Sequence, residues 1–144
     1  MNNIEIVTDN TKETQKVGAI LAREIIKSKK TLIVGLIGEL GSGKTTFIQG
    51  MAKGLRIKER ITSPTFVIMK RYIILKKKVS SFYHIDCYRV QLKDLLDLGL
   101  KEIINQPENL IVIEWAEKVK KILPRDTFWI KFEYLDKDKR KIIL

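Results

Sequence analysis

Apolar positions in the first third of the chain recur at spacings that switch between strand-like and helix-like. The predicted elements are a strand at residues 4–7, a helix at 12–27, a strand at 31–37 and a helix at 44–55. The second strand is a continuous apolar run, which is typical of a strand buried on both faces of a sheet. Short polar side chains satisfy free amides where a helix begins, so the first helix is expected to be capped by Asp9, Asn10 or Thr11.

The rest of the chain adds more strands than helices. The predicted elements are strands at 66–75 and 79–88 joined as a hairpin across Lys76–Lys78, a helix at 92–105 broken at Gly99, a buried strand at 110–113, an alternating strand at 127–134 and a possible edge strand at 141–144. Early alternation followed by extra strands predicts an α/β protein with a mixed sheet flanked by helices.

Composition limits the class of protein. A length of 144 residues is typical of one domain, so residues 1–144 are expected to form a single unit. No apolar run approaches the ~20 residues that a membrane helix needs, and the acidic start of the chain does not look like a signal peptide. The single cysteine, Cys87, excludes an internal disulfide and fits a reducing compartment. We therefore expect a cytoplasmic protein with no membrane association.

Positive charge is concentrated in one segment. The chain has 28 basic and 17 acidic residues, a net charge of +11. Residues 51–80 hold nine basic residues and one acid, Glu59, and so contribute +8. A local basic face is expected where a phosphate-rich or acidic partner binds. However, 21 lysines, 7 arginines and 22 isoleucines are also what an A/T-rich genome would encode on any solvated surface. Both interpretations remain open.

The strongest motif is Gly38-Glu39-Leu40-Gly41-Ser42-Gly43-Lys44-Thr45, a complete P-loop pattern between a predicted strand and a predicted helix. Glycines allow backbone amides to surround phosphates, and the helix presents its free N-terminal amides to the same anion. Lys44 is expected to reach the β- and γ-phosphates, and the Thr45 hydroxyl is the expected Mg²⁺ ligand. The motif predicts a site for a nucleoside triphosphate.

Magnesium in such a site also needs a carboxylate, usually at the end of a strand beside the P-loop strand. Glu114 follows the apolar run 110–113, and Asp86 follows a weaker strand. One of the two is expected to bind Mg²⁺, directly or through water, while the other orients the attacking water. The alternative interpretation of either carboxylate is a residue that ends its strand in solvent and has no role in a metal site.

Two nucleotide-dependent classes are disfavoured. The sequence lacks the Asn-Lys-x-Asp motif with which a GTPase reads its base. A small-molecule kinase needs an arginine-bearing lid, which is hard to assemble from seven arginines when only Arg89 and Arg125 stand clearly away from the basic segment. ATP binding and hydrolysis, or a switch, is therefore favoured over a kinase, which remains the alternative enzyme. An RNA-binding module that uses the basic segment is the non-catalytic alternative.

Several further residues have two interpretations. Residues 62–66 are a γ-phosphate-sensing loop or a turn before a strand. His84 and Cys87 are too few for a zinc site, so Cys87 is expected to be an inert buried thiol, while His84 supports Asp86 or packs. Trp115 is expected at the rim of the nucleotide site.

Trp129 is the other tryptophan that the pattern singles out. It alternates away from its apolar neighbours and is expected to be exposed, as part of an interface.

Five motifs occur in an order that resembles one family. They are Gly38-Glu39-Leu40-Gly41-Ser42-Gly43-Lys44-Thr45-Thr46, Ser63-Pro64-Thr65-Phe66, His84-Ile85-Asp86-Cys87-Tyr88-Arg89, Leu98-Gly99-Leu100-Lys101-Glu102 and Ile113-Glu114-Trp115-Ala116-Glu117. From about Thr8 to Tyr134 the chain resembles the TsaE family, formerly YjeE, the bacterial ATPases of threonylcarbamoyladenosine biosynthesis. Cys87 and Ala116 depart from the family's usual Leu and Pro.

The resemblance implies a P-loop NTPase-like fold and an ATP-hydrolysing accessory subunit that works with TsaD and TsaB. That set of proteins modifies the adenosine beside the anticodon in tRNAs that read codons beginning with A, so tRNA is a partner through the complex. The resemblance also favours a switch at residues 63–66.

The resemblance assigns roles to individual residues as well. Lys44, Asp86 and Glu114 are the implied catalytic residues, and Thr45 and Glu114 the implied Mg²⁺ ligands. The implied ATP contacts are Thr11, Gly41, Ser42, Gly43, Lys44, Thr45, Thr46 and Lys118.

Overall fold

The computed structural model describes residues 3–27, 32–62, 68–74 and 79–144. Within these residues, seven strands form one mixed sheet. In chain order the strands are β1 Glu5–Thr8, β2 Ile33–Ile37, β3 Met69–Ile73, β4 Ser81–Asp86, β5 Asn109–Glu114, β6 Phe128–Tyr134 and β7 Arg140–Ile143. Their order across the sheet is β1-β7-β6-β2-β5-β4-β3. The predicted α/β class and mixed sheet are confirmed.

The centre of the sheet is parallel and its edges are antiparallel. Strand β2 runs parallel to β5 and β6, and β4 runs parallel to β5. The predicted hairpin is confirmed for β3 and β4, which pair antiparallel. The prediction that the last strand is an edge strand is wrong. Strand β7 pairs with β6 on one side and with β1 on the other, so β1 and β3 form the edges.

Some predicted features fall on parts of the chain outside the described residues. These are the start of the second strand at Thr31, the loop at 63–66 and the lysine cluster Lys76–Lys78.

Four α-helices and one 3-10 helix cover the sheet within the described residues. They are α1 Thr11–Ile25, α2 Lys44–Gly54, α3 Leu92–Asp97, α4 Leu100–Ile104 and the 3-10 helix Ala116–Ile122. Asn10 is the cap of α1, and its side chain accepts a hydrogen bond of 2.9 Å from the Glu13 amide. The predicted break at Gly99 is confirmed, since this residue has a φ of +87° between α3 and α4. The sequence pattern did not predict the 3-10 helix.

Apolar side chains fill both faces of the sheet. On one face α1 and α2 pack against alternate residues of the central strands, such as Leu36, Val112 and Phe132. On the other face Ile33 and Ile113 pack against residues from the short helices. A strand buried on both faces needs apolar residues throughout, which explains the continuous runs in β2 and β5. No helix within the described residues has the length and apolarity that crossing a bilayer requires.

Helices α1 and α2 approach each other closely along their length. A Cβ atom built on Gly50 would lie 2.0 Å from the Gln15 carbonyl oxygen, which leaves room only for glycine. This packing fixes α2, and therefore the loop at its N-terminus, against the sheet.

Candidate nucleotide site

The P-loop connects the carboxyl end of β2 to the N-terminus of α2. Gly41 and Gly43 have φ values of +77° and +102°, a region that residues with a Cβ atom rarely adopt. Among the described residues, no side chain caps α2 at Gly43, and the first turn of α2 contains no acid. The free amides and positive dipole end of an 11-residue helix therefore remain available to an anion.

Lys44 lies inside this loop. Its side chain is 4% exposed, and its ammonium group donates a hydrogen bond to the Gly38 carbonyl oxygen. The same ammonium lies 3.7 Å from the centroid of the Trp115 ring, close enough for a cation–π interaction. Burial lowers the pKa of Lys44, and the negative charges of Glu114 and Glu117 oppose that effect.

Asp86 and Glu114 lie next to each other at the carboxyl ends of their strands. They end the adjacent parallel strands β4 and β5 and are register partners. Ligands of open α/β sheets bind at the carboxyl ends of the strands, so both carboxylates lie where the P-loop opens. Burial raises the pKa of Asp86, although the Tyr88 amide donates a 2.9 Å hydrogen bond to its Oδ1 atom and opposes the rise.

His84 contacts one of these carboxylates. Its Nε2 atom lies 2.6 Å from Oε2 of Glu114, and both side chains are buried. The sequence offered Asp86 as the group that His84 supports. The structure places the hydrogen bond on Glu114 instead, which lies diagonally from His84 across β4 and β5 on the same face of the sheet.

A pocket of about 510 Å³ brings the predicted residues together. Its lining residues are Leu40, Gly41, Gly43, Lys44, Thr45, Thr46, Ile68, Asp86, Tyr88, Arg89, Val90, Glu114, Trp115 and Arg140. Seven residues assigned from the sequence lie in this lining: Gly41, Gly43, Lys44, Thr45, Thr46, Asp86 and Glu114. The expected position of Trp115 at the rim is confirmed, and its ring lies 5.0 Å from that of Tyr88.

Arg140 is a pocket residue that sequence reasoning missed. It begins β7, and its guanidinium lies 4.6 Å from the centroid of the Tyr134 ring. A Cβ atom on Gly43 would lie 3.3 Å from the Arg140 Cγ atom, so this side chain lies directly against the P-loop. The contact depends on pairing between β6 and β7, and no local motif signals it.

Three predicted contacts are not part of the pocket lining. Ser42 is buried within the P-loop, and its Oγ atom has no partner among the described residues. Thr11 is exposed at the start of α1, three positions after Thr8, which pairs with Arg140. Lys118 donates hydrogen bonds of 3.0 and 2.8 Å to the carbonyl oxygens of Cys87 and Tyr88, and thereby ties the 3-10 helix to the turn after Asp86.

Two further expectations have clear outcomes. Burial raises the pKa of the Cys87 thiol to about 12, which agrees with an inert buried cysteine.

The expectation that Trp129 is exposed is wrong. Its ring is half-buried and covers Gly35 of the neighbouring strand, where a Cβ atom would lie 2.8 Å from the ring. The missing side chain of Gly35 provides the space.

The residues present fit a magnesium ion that is bound together with a phosphate. Thr45 and Glu114 both line the pocket, and the hydrogen bond from His84 occupies only one carboxylate oxygen of Glu114. Within the described residues no group of three or more His, Cys, Asp or Glu side chains forms a metal cluster. Mg²⁺ typically uses one or two protein oxygens, substrate phosphates and water, so a complete protein cage is not needed.

Comparisons with known proteins agree with this geometry. Residues 8–142 match the protein family described as "Threonylcarbamoyl adenosine biosynthesis protein TsaE". The chain is 35% identical over 137 residues to the tRNA threonylcarbamoyladenosine biosynthesis protein TsaE of Treponema pallidum, covering 94% of this chain and 96% of that protein. It is 34% identical over 142 residues to the protein of the same name from Bacillus subtilis, covering 99% and 85%.

The fold is also similar to a solved structure. The crystal structure of Bacillus subtilis YdiB superimposes with a TM-score of 0.76 at 30% sequence identity, covering 99% of this chain and 84% of that one.

Proposed function

The chain belongs to the TsaE family of threonylcarbamoyl adenosine biosynthesis proteins, and on that premise we propose that it binds and hydrolyses ATP as an accessory subunit of tRNA threonylcarbamoyladenosine modification. Membership implies a nucleotide-binding protein of the P-loop type. The observation that carries the proposal is the convergence of Lys44, Asp86 and Glu114 on one pocket at the carboxyl ends of β2, β4 and β5.

The pocket residues divide the work of hydrolysis. The amides of Gly41 to Thr46 and the N-terminus of α2 hold the phosphates, and Lys44 neutralises charge on the β- and γ-phosphates. Thr45 and Glu114 would hold Mg²⁺, which would supply positive charge that stabilises the phosphate oxygens. Asp86 orients the attacking water and accepts its proton. Thr11 and Lys118 are the further proposed nucleotide contacts.

Lys44 must change partners for this role. Its ammonium contacts the Gly38 carbonyl oxygen and the Trp115 ring, both inside the protein. Phosphate oxygens are stronger acceptors than either, and they also add negative charge beside a desolvated cation. Binding of the triphosphate therefore relieves the electrostatic cost of burying Lys44.

The proposed partners are TsaD, which transfers the threonylcarbamoyl group, and TsaB, with tRNA reached through their complex in the cytoplasm. Residues 51–80 contain six basic side chains that the structure describes, and all six are exposed: Lys53, Arg56, Lys58, Arg60, Lys70 and Arg71. Such a surface suits an acidic protein face or tRNA phosphates. The whole chain acts as one P-loop domain whose hydrolysis is weak alone and is raised by the partners.

Reconstitution tests the proposal directly. ATP hydrolysis is measured for the protein alone and with TsaB, TsaD and tRNA, and the rate is expected to rise when the partners are present. An unchanged rate would contradict activation by partners. Labelled γ-phosphate recovered on a small molecule instead of as inorganic phosphate would favour the kinase alternative. Tight, salt-sensitive binding of tRNA by the protein alone would favour direct contact with RNA.

A variant of the P-loop lysine tests the assigned chemistry. Lys44→Ala is expected to weaken ATP binding by roughly 10- to 150-fold, because a hydrogen bond to a charged group contributes about 1.5–3 kcal/mol, and to abolish ATP-dependent modification of tRNA. Lys16→Ala, which removes an exposed lysine of α1, serves as the matched control and should behave as the wild type. Full tRNA modification by Lys44→Ala would contradict the role of Lys44.

A further inference from the structure

We infer that His84 is a positioning residue that holds the Glu114 carboxylate in the orientation required to bind Mg²⁺. The inference rests on the proposed function, since it concerns the same nucleotide site. His84 is not part of the pocket lining and is 0% exposed, so it does not reach a bound nucleotide. It acts through Glu114, which is 4% exposed and does line the pocket.

The contact between the two side chains is short and is shielded from water. The distance from Nε2 of His84 to Oε2 of Glu114 is 2.6 Å, and their side chains are 0% and 5% exposed. A hydrogen bond to a charged acceptor is stronger than one between neutral groups, and it is stronger still where water is excluded. His84 therefore fixes one of the two Glu114 oxygens, and this bond does not engage the other.

The hydrogen-bond inventory determines the direction of the bond. A carboxylate only accepts, so Nε2 of His84 must carry the proton and donate it to Oε2 of Glu114. The other ring nitrogen, Nδ1, is buried and has no partner among the described residues. If the proton were on Nδ1 instead, a buried donor would have no partner and two acceptors would face each other at 2.6 Å. The geometry thus assigns His84 as the donor.

The position of His84 and Glu114 in the sheet explains how the Glu114 carboxylate is held in one place. Glu114 is in register with Leu36 at the end of the P-loop strand and with Asp86 on β4. The backbone of β5 fixes where the Glu114 side chain begins, and the imidazole fixes where it ends. A partner that orients a ligating carboxylate typically changes metal affinity by 10- to 100-fold when it is removed.

The test measures how strongly Mg²⁺ tightens nucleotide binding. The dissociation constant of a non-hydrolysable ATP analogue is determined by calorimetry in Mg²⁺ and in EDTA, and the ratio of the two values is the Mg²⁺-dependent gain. For His84→Phe, which keeps an aromatic ring but removes the donor, we expect the gain to fall by roughly 10- to 100-fold. The value in EDTA should remain that of the wild type, because the phosphate-binding residues are unchanged.

Two polar substitutions that differ in length separate positioning from folding. The terminal amide of His84→Gln reaches about as far as Nε2 of histidine and should retain most of the gain, whereas the amide of His84→Asn is too short and should lose it. These variants share polarity and differ in reach, so they remain informative if His84→Phe does not fold. Tyr83→Phe, one residue away on the other face of β4, is the matched control and should retain the whole gain.

Failure of the inference and failure of the proposed function give different results. If the wild type does not bind the analogue, or if Mg²⁺ does not tighten its binding, the proposed function is contradicted. If the wild type shows the gain and His84→Phe and His84→Asn both retain it, the role of His84 is overturned and the proposed function stands. Equal loss in His84→Gln and His84→Asn would also overturn the inference, because the reach of the donor would then not matter.

Discussion

The Lys44 ammonium lies 3.7 Å from the centroid of the Trp115 ring. Trp115 itself has a φ of +58°, an uncommon value for a residue with a large side chain. Strained residues of this kind collect at functional sites, where the surrounding structure maintains them. Here the unusual backbone directs the indole towards the cation that a phosphate would bind.

This contact predicts an optical signal for nucleotide binding. A triphosphate is expected to draw the Lys44 ammonium away from the indole, which changes the charge beside the ring and therefore the fluorescence of Trp115. The chain has two tryptophans, so the Trp129→Phe variant reports on Trp115 alone. Titration of this variant with ATP should change the intensity or wavelength of emission in a saturable way.

The reciprocal variant is the control for this experiment. Trp115→Phe retains Trp129, whose ring covers Gly35 and is not part of the pocket lining. Its emission should not respond to ATP. An equal response from both variants would show that the signal does not come from the contact with Lys44.

Local sequence patterns predicted the helices and strands of this fold well, but apart from the hairpin of β3 and β4 they did not predict which strands pair with each other in the sheet. The P-loop, α2 and the apolar strands β2 and β5 are specified by residues close together in sequence, and their bounds agree with the structure to within a few residues. Strand β7 is an interior strand and not an edge strand because it pairs with β1, with Glu5 opposite Ile143. A pairing between opposite ends of the chain leaves no signal in local periodicity.

The same limit applies to the site. The carboxylates Asp86 and Glu114 were predictable because an acid at the end of an apolar strand is a local feature. The hydrogen bond between His84 and Glu114 depends on the register of β4 against β5, which places residues 30 positions apart side by side. The position of Arg140 against Gly43 likewise depends on how β7 joins the sheet.

The pKa of Asp86 predicts how stability depends on pH. Burial raises this pKa, so the folded protein binds the proton more readily than the unfolded chain does. The stabilisation from Asp86 is thus present below its unfolded pKa and is lost as the pH rises through the raised folded value. Asp86→Asn, which removes the charge, should be more stable than the wild type near neutral pH, and this gain should shrink as the pH falls.

Thermal unfolding of both proteins between about pH 3 and pH 8, a range that brackets the ordinary carboxyl pKa and neutrality, measures this difference. Asp97→Asn, on the exposed side of α3, is the control and should show no such dependence. A gain for Asp86→Asn that grows towards low pH would have the opposite sign and would contradict the raised pKa.

The buried thiol of Cys87 predicts a reactivity that depends on folding. Because burial raises its pKa to about 12, almost no thiolate is present at pH 8 in the folded protein. Iodoacetamide should therefore leave Cys87 unmodified in the native state and modify it fully in denaturant, with mass spectrometry as the measurement. The Cys87→Ala variant should acquire no label in either state. Native labelling at the rate seen in denaturant would show that the thiol is accessible and ionised.

Replacing Gly50 by alanine is expected to destabilise the protein, although alanine has the higher helix propensity. In an isolated helix, alanine is more favourable than glycine by about 1 kcal/mol. At Gly50, however, the added Cβ atom would lie 2.0 Å from the Gln15 carbonyl oxygen and 2.5 Å from its Cα atom, both part of the backbone of α1. Because backbone cannot rotate away as a side chain does, α1 would have to shift, and Gly50→Ala is expected to lower the free energy of unfolding by about 1–3 kcal/mol.

Urea denaturation of Gly50→Ala measures this loss, and Arg23→Ala provides the control. Arg23 lies on the exposed side of α1, so its removal should change the free energy of unfolding by less than about 0.5 kcal/mol. Nucleotide affinity of the folded Gly50→Ala protein should fall as well, because the helix that moves apart from α1 is the one whose N-terminus forms the P-loop. A Gly50→Ala protein more stable than the wild type would mean that helix propensity outweighs the contact between α1 and α2.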